Sequence, residues 1–256
     1  MSIKWNDVKD SSNGTLPNYI AENIKDSIKK TLLKEGQDAI DTVMRIFDKE
    51  ANLKKPKIKF EKLNDSQAAA YKNGVIYIND IHILESSIPS TKLAIAHETA
   101  HHISSRFHPE FYKISNISVL KAMLRKENVQ IDPITRIAEE ALANYVAATA
   151  LRLDNNTLIY YADIYSNSLF LRRQDNANST LAATTLSYAL GFISAIGGDI
   201  KSKEENAIKI VKESSPKEKI HMLKDLAEDS IKSLEEKDKG KIAMIIENFE
   251  RILISL

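Results

Sequence analysis

Apolar residues recur at helical spacing over two long parts of the chain and at strand spacing over one short part between them. Behind Pro17, the series Ile20, Ile24, Ile28 and Leu32 predicts a helix to about Lys34. Gly36 is expected to interrupt it, and Ile40, Val43, Met44 and Phe47 predict a second helix that runs towards the Lys-rich segment 53–57, where Pro56 closes it. Residues 1–16 are polar and read as an arm. The period then falls to two. Ile58 and Phe60 alternate with lysines, Val75, Ile76, Tyr77 and Ile78 follow the turn signal Asn73-Gly74, and residues 66–72 supply a third short strand.

After Pro89 the helical period returns and persists. Ser90 or Thr91 is the expected cap of a helix to about Ser105, and Asp132-Pro133 reads as N-cap and first position of a helix to about Leu153. Asn155, Asn156, Asn167 and Asn176 are expected to break the next segment into short helical pieces. Ser215-Pro216-Lys217-Glu218 has the form of a capping box and opens a helix ending near Asp238. Gly240 then separates it from a last amphipathic helix bearing Ile242, Met244, Ile245, Phe249, Ile252 and Leu253. The expected fold class is α+β, predominantly α, with a small sheet in the N-terminal half.

Charge and composition narrow the chemistry. The 256 residues carry 36 basic and 35 acidic side chains, a net charge of +1, which argues against a dedicated nucleic-acid binder because phosphate recognition needs a basic surplus. With no cysteine, disulfides, thiol nucleophiles and Cys-ligated zinc are excluded, and His, Asp and Glu remain as metal ligands. That composition fits a cytoplasmic setting, and the polar N-terminus gives no expectation of a secretory signal. The longest uncharged stretch, Asn176 to Gly198, holds too many Ser, Thr and Asn for a membrane span and is expected to be a buried helix, so no membrane insertion is expected.

Within the helix after Pro89 stands His97-Glu98-Thr99-Ala100-His101, an H-E-x-x-H sequence. Histidines at i and i+4 lie about 40° apart on a helix, one above the other, so both imidazoles can reach one ion. Glu98 sits one step round, near enough to touch a metal-bound water without ligating the metal, which is the place of a general base. Chance supplies on the order of 0.01 such matches in a chain of this composition. The flanking Leu93, Ala94, Ile95, Ala96 and Ile103 mark a buried helix, which gains nothing from two His and a Glu unless they are paired or bind something.

Catalytic zinc wants a third protein ligand. The continuation with Gly at 104 and His at 107 fails, since Ser104 and Phe107 stand there and His108 is out of phase. A carboxylate from a second helix is the alternative, and Glu139-Glu140-Ala141-Leu142-Ala143-Asn144 offers two candidates, of which only Glu140 has an Asn at i+4.

In these two motifs, over roughly residues 70–153, the sequence resembles the gluzincin zinc metallopeptidases, whose second motif is E-x-x-x-D. The run Ala143-Asn144-Tyr145-Val146-Ala147-Ala148 is similar to the A-N-x-F-A-A segment of compact intracellular peptidases, the minigluzincin-like enzymes and the phage anti-repressor and stress-response proteases. The resemblance implies a single zincin-like catalytic domain over 1–256, with an upper lobe at 17–108 and a helical lower lobe at 109–256. It implies Zn2+ on His97, His101 and Glu140, with Asn144 in the place of the Asp that hydrogen-bonds a ligand histidine. An Asn accepts there through its carbonyl oxygen but brings no negative charge.

The implied activity is that of an endopeptidase in which a zinc-bound water, activated by Glu98, attacks a peptide bond of a peptide or protein substrate. By the same resemblance, Val75–Ile78, the strand before the metal helix, is an edge strand that pairs with the substrate. The oxyanion-stabilising group is open among Tyr160, Tyr161, Tyr165, Tyr188 and His221. His102 is expected to face solvent or the rear of the site, and His82 and His108 to be loop residues. The region beyond Leu153 closes one wall of the cleft or docks a protein partner through its C-terminal helices. The competing class is a non-hydrolytic regulatory or virion-associated protein that keeps a zinc site for folding. A structural site normally has four protein ligands, however, and needs no Glu98. The setting expected is intracellular, with a virus or mobile element as a further source.

Overall fold

The computed structural model describes residues 18–48, 53–63, 68–80, 87–111, 132–173 and 179–254. Their order is α1 (Asn18–Phe47), β1 (Lys57–Glu61), β2 (Ala69–Lys72), β3 (Val75–Asn79), α2 (Ile88–Phe107), α3 (Pro133–Ala150), α4 (Asn155–Arg173), α5 (Ser179–Ser194), α6 (Ile200–Lys212), α7 (Pro216–Ile231) and α8 (Glu236–Ile254). The described residues are thus mostly helical with one small three-stranded sheet. Among the described residues no helix is long and apolar enough to cross a membrane.

The sheet order is β1-β3-β2, with β1 parallel and β2 antiparallel to β3. Asn73 and Gly74 both have positive φ, 51° and 80°, the backbone that a two-residue hairpin between β2 and β3 requires. The expected edge position of Val75–Ile78 is therefore corrected: β3 is the central strand, hydrogen-bonded on both sides. Its continuous apolar run fits burial on both faces, whereas the free edges of the described sheet belong to β1 and β2, where Lys57, Lys59 and Lys72 project.

Gly36 does not interrupt α1. A Cβ there would lie 2.6 Å from Ile95 Cδ1 and 2.8 Å from Ile58 Cδ1, so the glycine serves close packing of α1 on α2 and β1. The same helix stops at Phe47, short of the lysine-rich segment, and Leu53 to Pro56 are irregular. The cap of α2 is Ser87, whose side chain accepts from the Ser90 backbone N–H at 3.2 Å, and Pro89 falls in the first turn where no amide hydrogen is needed. Asp132 caps α3 as expected, accepting from Thr135 N at 3.0 Å.

Asn155, Asn156 and Asn167 all lie within the continuous α4. Asp154 caps that helix through Thr157, Asn155 Oδ1 accepts from Gly197 N at 3.2 Å, and Asn167 spends its amide on Asp163 Oδ1 one turn back, at 2.9 Å, so neither of these two asparagines competes for the helix backbone. Asn176 lies outside the described residues. Ser215 caps α7, which ends at Ile231 rather than near Asp238. Gly240 lies inside α8, where a Cβ would meet nothing within 4 Å. Buried Leu234 pins the intervening turn, and α8 buries Ile242, Ile245, Ile246 and Phe249 while Met244 faces outward.

One continuous apolar cluster runs from α1 to α8 with α3 as its hub, packed against α1, α2, α5, α6 and α7. Residues 182–196, in the stretch read as a buried helix, are buried except for Tyr188, Asn144's neighbour across the helix pair. From Ile137 to Ala150, likewise, every residue of α3 is buried except Glu140, which is half-buried. These two exceptions face the same place.

Candidate metal centre

Helix α2 presents His97 and His101 one turn apart, and α3 crosses it so that Glu140 meets both. His97 Nε2 lies 3.1 Å from Glu140 Oε2 and 3.1 Å from His101 Nε2, and His101 Nε2 lies 3.5 Å from the same Glu140 oxygen. Ligands of a tetrahedral zinc at bond lengths of 2.0–2.1 Å sit about 3.3–3.4 Å apart, so the three atoms already have the spacing of three corners of that tetrahedron. They form a group able to hold a metal ion, and the side chains of His101 and Glu140 keep 12% and 17% of their surface exposed, leaving a path in from solvent.

The orientation of His97 is fixed from behind. Asn144 Nδ2 donates to the Tyr188 carbonyl at 3.2 Å, which sets the amide so that its Oδ1 faces His97 Nδ1 at 2.7 Å. Oδ1 only accepts, so His97 carries its proton on Nδ1 and presents the Nε2 lone pair to the site. Both bonds need an amide at 144, because a carboxylate there would have no hydrogen for the Tyr188 carbonyl. Gly191, one turn after Tyr188, makes this approach feasible: a Cβ there would fall 2.2 Å from the Ala141 carbonyl oxygen and 2.8 Å from Asn144 Cβ.

Electrostatics hold His97, His101 and Glu140 together even without an ion. Burial opposes a charge on His101, but the hydrogen bond and negative charge of Glu140 prevail and raise its pKa from 6.5 to about 9. Burial likewise disfavours a charged Glu140, yet the two histidines hold its carboxyl well below the usual carboxylate range. A metal ion binds deprotonated ligands, so a cation entering this group must displace the proton held between His101 and Glu140. Glu98 is half-buried on the next position of α2, and its negative charge is felt at His101.

Glu139, the rival third ligand, points elsewhere. Its Oε1 is 2.7 Å from Nζ of the fully buried Lys219 of α7, and although burial works against ionisation, Lys219 keeps its pKa lowered. His102 is buried rather than solvent-facing. Its Nε2 donates to the Lys54 carbonyl at 2.8 Å and its Nδ1 accepts from the Tyr71 hydroxyl at 3.1 Å, which ties β2 to α2. Burial lowers its pKa. His108 is not a ligand: it ends α2 and bonds the Val211 carbonyl at 2.8 Å. His82 lies outside the described residues.

Of the five candidates for an oxyanion donor, Tyr188 stands nearest. Its ring centroid is 5.8 Å from that of His97, and burial, then the charge of Glu140 and a hydrogen bond to it, push its pKa upward. Tyr165 packs against Tyr188 with centroids 5.0 Å apart and also feels the Glu140 charge. Tyr161 stacks on Phe192, Tyr160 is exposed, and His221 pairs with Asp225 on the outer face of α7. The only sequence signal for Tyr188 was an aromatic within an uncharged, buried helix. Compared with family models, curated proteins and solved structures, the chain matches none.

Proposed function

We propose that the chain is a zinc-dependent peptidase of gluzincin type, with a zincin-like arrangement of sheet, H-E-x-x-H helix and glutamate helix, acting as an intracellular endopeptidase. The observation that carries this reading is the convergence of His97 Nε2, His101 Nε2 and Glu140 Oε2 at 3.1–3.5 Å beside a further carboxylate that takes no part in it. The two-imidazole, one-carboxylate donor set suits zinc and leaves a position for water and substrate.

A bound zinc ion supplies a Lewis acid that acidifies water and polarises an amide carbonyl. The chain's own residues do the rest. A carboxylate oxygen of Glu98 accepts the proton of the attacking water and returns it to the nitrogen of the departing amine. Asn144 holds the His97 proton on Nδ1 throughout. Tyr188, whose hydroxyl hydrogen rests on Glu140 in the structure, turns it to the oxygen on which negative charge develops.

The test is Glu98→Gln, with zinc measured by mass spectrometry and hydrolysis followed on an unfolded protein. The reading expects unchanged zinc content and hydrolysis reduced by at least a factor of about a hundred, in line with loss of a general base. Hydrolysis at the wild-type rate would remove the mechanism.

A further inference from the structure

Arg136 lies near the start of α3, one helical turn before Glu140 and on the same face. Its side chain is exposed, and it has no ion-pair partner among the described residues. Helix geometry offers it three carboxylates, and each is committed elsewhere. Asp132 accepts from the backbone and hydroxyl of Thr135 at 3.0 and 2.7 Å, Glu139 is held by Lys219 at 2.7 Å, and Glu140 faces the two histidines. A cation near the N-terminal end of a helix also opposes the helix dipole, so helix stability does not account for it.

We propose that Arg136 is the specificity residue of this site, binding a substrate carboxylate next to the bond that is cut; this rests on the peptidase reading above. Side chains at i and i+4 are about 5–6 Å apart at Cβ, and an extended peptide advances about 3.3–3.6 Å per residue. The carboxylate recognised is therefore within about two residues of the reacting carbonyl. The planar guanidinium pairs with a carboxylate through two parallel hydrogen bonds, which an acidic side chain and a free C-terminus satisfy equally.

The experiment uses zinc-loaded Glu98→Gln protein, which binds without turnover, and fluorescein-labelled pools of randomised uncharged peptides. The pools differ only in one Glu or Gln and in a free or amidated C-terminus. Fluorescence anisotropy is expected to show carboxylate-bearing pools binding about tenfold more tightly, a preference that weakens with added salt. Arg136→Gln should bring the ratio to near one with zinc content and melting temperature unchanged, and Arg136→Lys should retain part of it. Preference for Glu regardless of amidation identifies a side chain as the source; preference for free-acid pools alone identifies the chain terminus. No preference in the parent, no binding of any pool, or an unchanged ratio in Arg136→Gln would overturn the proposal. The peptidase reading fails separately, if zinc-loaded protein with Glu98 intact cleaves none of the pools while the preference stands.

Discussion

Asn144 Oδ1 stands 2.7 Å from His97 Nδ1, and that single contact decides which nitrogen of the His97 ring is left without a proton. The other end of the same amide is anchored on the Tyr188 carbonyl. Asn144→Leu removes both bonds, and metal affinity measured by chelator competition should fall about 10- to 100-fold. Asn144→Asp keeps the acceptor for His97 but leaves the Tyr188 carbonyl without its donor. It should retain the metal while melting earlier, by a loss of about 1–3 kcal/mol. Equal metal affinity in the Leu variant would show that His97 needs no support.

Gly191 touches no ligand, yet it sets the distance between the two helices that frame the site. Gly191→Ala places a methyl 2.2 Å from the Ala141 carbonyl oxygen, so α5 must move away and carry Tyr188 with it. The expected loss is about 1–3 kcal/mol of stability together with weaker metal binding. Gly240→Ala is the matched control. It meets nothing within 4 Å in an exposed helical position and should gain roughly 0.5–1 kcal/mol in thermal or denaturant unfolding. The same sign for both would refute the packing argument.

The metal-free site is expected to be pH-sensitive. His101 has a folded-state pKa raised from 6.5 to about 9, so its ion pair with Glu140 stabilises the metal-free fold fully below pH 6.5, and this contribution is lost as pH rises through about 9. A metal must displace that proton. Apparent affinity in chelator competition should therefore rise by roughly tenfold per pH unit below about 9, with about one proton released per ion bound. Affinity that does not change between pH 7 and 9 would contradict the ion pair.

The pieces legible in the sequence were those written in local chemistry. His97, Glu98 and His101 share one helix, so their spacing alone fixes their geometry, and Asn73-Gly74 announces a hairpin by its backbone preference. The meeting of Glu140 with that helix is a matter of tertiary packing, and the sequence offered only Asn144 at i+4 to choose Glu140 over Glu139. Gly36 and the asparagines of α4 read as breakers because propensity is a local property; Gly36 is required by the side chains of Ile95 and Ile58, which come from distant parts of the chain. The central place of β3 was legible in retrospect. Val75 to Ile78 runs apolar on both faces, whereas Lys57 and Lys59 on β1 mark an edge. Tyr188 and Arg136 had no motif, and their relation to the site emerges only when α3 and α5 are placed together.

The most direct measurement is zinc K-edge X-ray absorption on the purified protein with its metal content counted. The account predicts one ion per chain, with two imidazole nitrogens at about 2.0–2.1 Å and oxygen donors at about 2.0–2.2 Å, and the imidazole signature halved or lost in His97→Ala. An all-oxygen shell, or no bound ion at stoichiometric zinc, would contradict it.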